Sequence, residues 1–466
     1  MIPPDPALTF TPCRAAGLAR WAAFLPEAGR RYAERRNFDG GPGHRANVSA
    51  LSPWIRHRLV REDEVVAAAL ARHDDLAAEK FIQEVVWRTY WKGWLEQRPT
   101  VWTRYRAAVA AGLDALEREP DLRARWEQAT TGHTGLACFD AWARELLDFG
   151  YLHNHARLWF ASLWIFTLEL PWALGADFFL RHLLDGDPAS NTLSWRWVGG
   201  LQTPGKTYLA RADHIARFTA GRFPAVTGLA TAAQPLREAP LDPPRPVPAA
   251  ETLERGAPLG GLITEEDCDP LSLARPADSI RAVAGVTTES ARSPLPAGPL
   301  PAAFSRGAVD DALARLRAAL GCPTVHWPAG VGAAAVIDWA RAAGVARIAT
   351  AYAPVGPTAE WLAGLRAPLA RAGITLTVPR RAWDDALWPL ATRGFFPFKE
   401  QVPAALRRLG LGGRPGAARA LDSRTASPCR AGGGNRDAHR PVRLNRSARP
   451  RQSPRWIDHL LYLNRR

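Results

Sequence analysis

The densest run of chemistry-bearing residues is Phe149-Gly150-Tyr151-Leu152-His153-Asn154-His155-Ala156-Arg157-Leu158. On a helix, Asn154, Arg157 and Leu158 stand at i, i+3 and i+4 and share one face. The apolar residues around them predict that this face points into the interior. A buried arginine needs an anionic partner. Asp185 and Asp187, in Asp185-Gly186-Asp187, are the candidates, with Asn191, Trp195, Arg196 and Trp197 close behind. His153 and His155 lack accompanying Cys, Asp or Glu at ligand spacing, so no metal is expected.

A second run is Phe81-Ile82-Gln83-Glu84-Val85-Val86-Trp87-Arg88-Thr89-Tyr90-Trp91. Glu84, Trp87, Arg88 and Trp91 share a helix face. That stripe is either a binding face or an internal salt bridge within the helix. A third feature is the glycine-rich stretch 40–43 leading to Asn47–Trp54. Here Ser52 predicts an N-cap and Pro53 the first helical position. Ser49, Ser52 and free backbone N–H groups would face an anion there, although taken alone this is an ordinary helix start. Lys206, Arg211 and Arg217 are candidates for contacts with phosphates.

The elements that must hold these residues are mostly helices. Residues 20–225 contain long apolar-periodic segments, such as Glu64–Ala77, Leu76–Gln97, Phe139–Phe149 and Tyr151–Leu170. Thirteen of the nineteen tryptophans fall there, as core filling or as a path for electrons. Residues 226–300 are rich in Pro and Ala and predict an extended linker. Residues 301–410 alternate short apolar runs (VARIATAYAP, GITLTVP) with amphipathic helices, which predicts a small parallel sheet. Gly330 and Gly332 open one of those helices and read as helix-start glycines. The fold class expected is therefore mainly α: an all-helical domain over 1–225, a linker over 226–300, and a small α/β domain over 301–410.

Residues 411–466 hold thirteen Arg, no Lys and three Asp, which is +10 of the chain's +15. That composition predicts a disordered basic tail. The charge admits a polyanionic partner, but the rest of the 466 residues is only mildly basic. Cys13, Cys138, Cys268, Cys322 and Cys429 form no CxxC pair and predict neither a disulfide framework nor a zinc site. No apolar run reaches the ~18 residues of a membrane helix, so a soluble cytoplasmic protein, expected to be monomeric, follows.

The segment TGHTGLACFDAWARELLDFGYLHNHARLWFASLWIFTLELPW followed by LLDGDPASNTLSWRW resembles the signature region of the DNA photolyase/cryptochrome family. NVSALSPWI and EVVWRTYW resemble two earlier motifs of that family, in the same order. The resemblance covers about residues 25–215. It implies an all-helical photolyase-type domain that binds a U-shaped FAD and reduces it to the anionic hydroquinone. Carried onto this chain, Tyr32, Ser49, Leu51 and Ser52 hold the ribityl and pyrophosphate part, and Arg88 and Asn154 lie along the cofactor. Arg157 pairs with Asp185 against the isoalloxazine edge. Asp187 and Asn191 bind the ring, with Asn191 near N5.

Glu84, Trp87, Asn154 and Trp197 match positions that meet a flipped pyrimidine dimer, with Leu158 beside it. Trp195 and Trp172 match the first two members of a photoreduction chain. The third falls on Leu116, for which Trp126, Trp142 or Tyr151 are substitutes. The chain departs from the family in four ways. The N-terminal α/β antenna domain is expected to be absent, with 301–410 a displaced relative or an unrelated domain. Leu158 replaces a methionine, Thr89 replaces an acid, and the sequence after Trp197 differs. The resemblance implies a blue-light lyase that repairs cyclobutane pyrimidine dimers in DNA. The alternative is a cryptochrome-like photoreceptor with a protein partner.

Overall fold

The computed structural model describes residues 8–254, 256–269, 279–327 and 331–412. The first half is a succession of twelve α-helices: α1 (Arg14–Phe24), α2 (Arg30–Arg35), α3 (Ser52–Arg56), α4 (Glu62–Arg72), α5 (Asp75–Glu96), α6 (Thr100–Arg118), α7 (Pro120–Thr131), α8 (Ala137–Phe149), α9 (Asn154–Ser162), α10 (Trp172–His182), α11 (Pro188–Val198) and α12 (Ala212–Phe218). Local chemistry sets several of their ends. The Asp74 carboxylate accepts from Ala77 N at 2.8 Å and starts α5. Asp187 accepts from Ser190 N and, with Pro188 in the first turn, starts α11. Gly150, left-handed at φ 64°, stops α8 and lets the chain turn into α9. Ser52 lies inside α3 rather than at its cap, which is Leu51, so the predicted start is off by one residue.

The second half runs β1 (Leu259–Thr264), β2 (Ile280–Val286), α13 (Pro299–Leu320), β3 (Thr324–Trp327), α14 (Ala333–Ala342), β4 (Arg347–Ala349), α15 (Pro357–Arg371), β5 (Thr375–Thr377), α16 (Ala382–Leu387) and α17 (Phe395–Arg408). The five strands form one parallel sheet in the order β3-β2-β1-β4-β5. β4 and β5 coincide with the two short apolar runs read from the sequence. β1 and β2 lie inside the stretch 226–300 that reads as a linker. Both are buried along most of their length, so they lack the polar–apolar alternation that would mark them.

The sheet is not an independent layer. One face carries α13, whose Phe304, Ala308, Val309 and Leu313 join the same apolar core as Trp54, Trp159 and Trp195 of the helical half. Trp383 and Phe395, from α16 and α17, enter that core as well. The other face carries α14 and α15 over a second core built on Leu262, Val286, Val336, Ile348 and Leu365. The expected tail lies outside the described residues apart from 411 and 412, as do Cys429 and Gly330. No described helix is long and apolar enough to cross a membrane.

Candidate cofactor site

The site forms where α3, α5, α9 and the loop between α10 and α11 meet. Arg157, on the first turns of α9, places Nη1 3.0 Å from Asp185 Oδ2. Arg88, on α5, reaches the same oxygen and Asp187 Oδ2, each at 3.6 Å. Lys92, one turn further along α5, lies 3.4 Å from Asp187 Oδ2. Arg56, at the end of α3, donates from Nε to Gly186 O at 2.9 Å and stands 3.7 Å from Asp187 Oδ2. Asp185 and Asp187 are both almost fully buried.

Burial alone would raise both carboxyls, but the surrounding cations win. Arg157, Arg88 and the Ser52 hydroxyl hold Asp185 below the usual carboxylate range. Lys92, Arg88, Arg56 and the Ser190 N–H do the same for Asp187. Both acids are therefore ionised. Arg88 Nη1, Asp185 Oδ1 and Asp187 Oδ2 are buried and have no hydrogen-bond partner. Buried polar atoms are normally satisfied. A guanidinium N–H and two carboxylate oxygens with hydrogen-bonding capacity to spare suit a polar ligand such as the pyrimidine side of an isoalloxazine, whose N3–H can donate to a carboxylate and whose carbonyls can accept from Arg88.

The remaining predicted residues take varied places. Asn191 is buried and its amide donates to Ala176 O at 2.7 Å, so the side-chain oxygen is the end left to face a ligand. Tyr32 and Leu51 are buried, while Ser49 and Ser52 are half-buried. Ser49 Oγ accepts from Leu51 N at 3.4 Å. Asn154 is exposed, and Arg157 and Leu158 are half-buried. The α9 face thus opens outward, against the expectation that it points into the core. Ala156, Trp159 and Phe160, on the other side of α9, take the core positions instead. His153 and His155 hydrogen-bond through ring nitrogens to Arg36 O and Asn37 O, each at 3.0 Å, and so fasten α9 to the loop after α2.

Glu84 does not pair with Arg88 along its own helix. Its carboxylate is taken by Arg36, a residue the sequence reading missed. Trp87 is half-buried and stacked on Phe395 of α17, with ring centroids 3.5 Å apart. Thr89, the departure from the family's acid, accepts from Trp383 Nε1 at 3.0 Å, so a hydroxyl suits the tryptophan that packs there. Trp197 is 36 % exposed and stacks on Tyr208. Lys206 and Arg211 are exposed, and Arg211 pairs with Asp213 at 2.9 Å.

The residues expected on an electron path make the following ring contacts. Trp195 makes ring contacts with Phe160, Trp164 and Phe179, whereas Trp172 meets Tyr105, which leads on to Trp102. Trp195 and Trp172 share no ring contact among the described residues. Leu116 is buried, Trp142 stacks on Trp159, and Tyr151 lies beneath Arg45 and Arg157.

Residues 81–219 match the sequence model of the family described as the FAD binding domain of DNA photolyase. A deoxyribodipyrimidine photo-lyase of Streptomyces griseus is 33% identical over 181 residues, covering 36% of this chain and 38% of the relative. The Thermus thermophilus deoxyribodipyrimidine photo-lyase is 34% identical over 212 residues, covering 44% of this chain and 47% of the relative. Among solved structures, a class III photolyase from Agrobacterium tumefaciens is 27% identical, with a TM-score of 0.37 over 46% of this chain and 44% of that one. Each of these matches spans less than half of the relative's own length. Over residues 81–219 the chain is thus similar to the FAD binding domain of the DNA photolyases, and the match is to that domain.

Proposed function

We propose that the protein is a light-driven, FAD-dependent photolyase acting on cyclobutane pyrimidine dimers in DNA. The observation that carries this reading is the buried Arg157–Asp185 and Arg88–Asp187 network lying beside an open face that holds Asn154 and Leu158. The chemistry that FAD supplies when bound is light-driven donation of one electron to the cyclobutane ring, and its recovery once the two C–C bonds have opened.

The chain's own residues do the rest. Asp185, Asp187 and Asn191 fix the ring, with Arg157 and Arg88 keeping the carboxylates ionised. Tyr32, Ser49, Leu51 and Ser52 hold the ribityl and pyrophosphate part. Trp197 offers an aromatic face to a splayed base, and Asn154 and Leu158 line the same side. Arg36 can steady negative charge on a dimer carbonyl, and Glu84 holds its guanidinium in place. Lys206 and Arg217 serve the phosphates, and Arg211 does so less well because Asp213 neutralises it.

A second reading, a cryptochrome-like photoreceptor without repair activity, is favoured by one observation. One face of Trp87, expected to meet the dimer, is already covered by Phe395. The deciding experiment measures loss of dimers from thymine-dimer DNA under blue light, with bound FAD quantified in the same sample. Light-dependent loss is the expected result. Stoichiometric, photoreducible FAD with no repair would overturn the photolyase reading and leave the photoreceptor.

A further inference from the structure

The groups ion-paired with Asp185 and Asp187 come from the helical half, and the α/β half adds the Arg292–Glu265 pair beside Gly186 and one carboxylate that pairs with the cations themselves. Glu266, in the loop that follows β1, is 5 % exposed and grips Arg56 with both oxygens, at 2.8 and 2.6 Å. The same carboxylate lies 3.9 Å from Lys92 Nζ. Arg56 and Lys92 are two of the three cations that face Asp187, the third being Arg88. Among the described residues, the other group on that carboxylate is the Ser190 N–H.

Glu266 is not the loop's sole anchor among the described residues. Its neighbours also hold the loop: Asp267 pairs with Arg381 and Arg58, Asp269 with Arg61, and Cys268 N donates to His57 O at 2.8 Å. Among the described residues of the loop, Glu266 is the side chain that pairs with cations facing Asp187. It also sets the charge balance. Four cations (Arg56, Arg88, Lys92, Arg157) meet three carboxylates (Asp185, Asp187, Glu266) in one ion-paired cluster, which leaves one positive charge over. In a buried setting such a charge acts strongly on any group that becomes anionic nearby.

We propose that Glu266 is a positioning residue for the cofactor site: through Arg56 and Lys92 it sets the field at the 185–187 turn, so that the reduction potential of bound FAD depends on a carboxylate supplied by the α/β half. This rests on the reading that Asp185 and Asp187 hold the flavin ring. Reduction adds negative charge to the flavin. Neutralising Glu266 leaves the cluster more positive and favours the reduced form; neutralising Lys92 does the reverse.

The test is a spectroelectrochemical titration of FAD bound to the full chain, in the wild type and in Glu266→Gln, Lys92→Gln and Asp267→Asn. Glu266→Gln should move the midpoint potential to more positive values and Lys92→Gln to more negative ones. Asp267→Asn, a docking carboxylate of the same loop, should leave it in place. An unchanged potential in Glu266→Gln with full FAD content overturns the proposal, as does an equal shift in Asp267→Asn. If Glu266→Gln purifies without flavin, Lys92→Gln decides, and an unchanged potential there overturns it. A wild-type protein that takes up no FAD at saturation removes the flavin reading and this inference with it.

Discussion

The indole of Trp87 lies against the ring of Phe395, with 3.5 Å between centroids and 27° between planes. The contact joins α5 of the helical half to α17, more than 300 residues further along the chain. Phe395 is 7 % exposed and also meets Tyr90 and Phe398. Phe395→Ala should cost about 3 kcal/mol, in the range for deleting a buried phenyl ring. Urea unfolding followed by tryptophan fluorescence gives the number. A loss under about 0.5 kcal/mol, the size of an ordinary surface change, would show that the stack contributes little.

Arg157 offers a sharper handle on the cofactor. Arg157→Ala leaves Asp185 with the longer contact to Arg88 and the Ser52 hydroxyl, a weaker set of partners for a buried carboxylate. The purified variant should carry far less FAD than the wild type, while Arg157→Lys should recover part of it. Flavin absorbance after denaturation measures both. Full flavin content in Arg157→Ala would remove Arg157 from the site.

Gly175 lies where two tryptophans converge. A Cβ there would come 2.6 Å from Trp195 Cζ3 and 2.8 Å from Trp164 Cε2. Gly175→Ala must therefore push the rings apart, at a cost of roughly 1–3 kcal/mol. Flavin photoreduction should slow if Trp195 relays electrons, and thermal unfolding should shift downwards in either case. Unaltered photoreduction together with a lowered unfolding temperature would make the pair purely structural.

Acid should destabilise the fold before most carboxylates titrate. Burial lowers His153 to about 4, His155 to about 3 and His182 to about 4. Each is neutral in the folded chain while its unfolded counterpart, near 6.5, takes up a proton. The unfolded state binds more protons between about 6.5 and 4, so stability falls as pH drops through that window. Each histidine contributes up to ~1.4 kcal/mol per pH unit. Glu145 acts in the opposite sense: burial raises it to about 7, so its protonation favours the folded state between 4.5 and 7. Burial lowers His57 in the same way and raises Glu96, Asp177, Glu265 and Asp384 in the sense of Glu145; with four histidines shifted, a net loss is expected from pH 7 to pH 5. Denaturation midpoints across that range check the sign, and His153→Gln should flatten the slope.

Helix faces and chemistry-bearing turns were readable because they depend on residues a few positions apart. The stripe on α5 and the Asp185-Gly186-Asp187 turn are of this kind. Partners across the fold were not. Helical spacing leaves open a salt bridge within the α5 stripe, yet Arg36 takes Glu84, and Arg88 faces the two aspartates. Lys92 sits one turn beyond Arg88 and was there to be seen by extending the stripe. Glu266 carried a weaker sign, an acidic run at the end of an apolar stretch. β1 escaped notice because LGGLIT offers few branched residues and is covered on both faces. The orientation of α9 was misjudged because Arg157 needs a buried anion without itself being deep. Asn154, beside it, faces solvent.

The 210 residues between Arg56 and Glu266 also have a temporal meaning. At ~5–20 residues per second, a ribosome needs roughly 10–40 s to pass from one to the other. Throughout that interval the emerging helical half carries Arg56 and Lys92 without their third carboxylate. β1, which delivers it, is the central strand of the sheet and the first to be made. The nascent chain therefore completes the charge balance around the 185–187 turn as soon as the second half begins, well before the outer strands β3 and β5 have been synthesised.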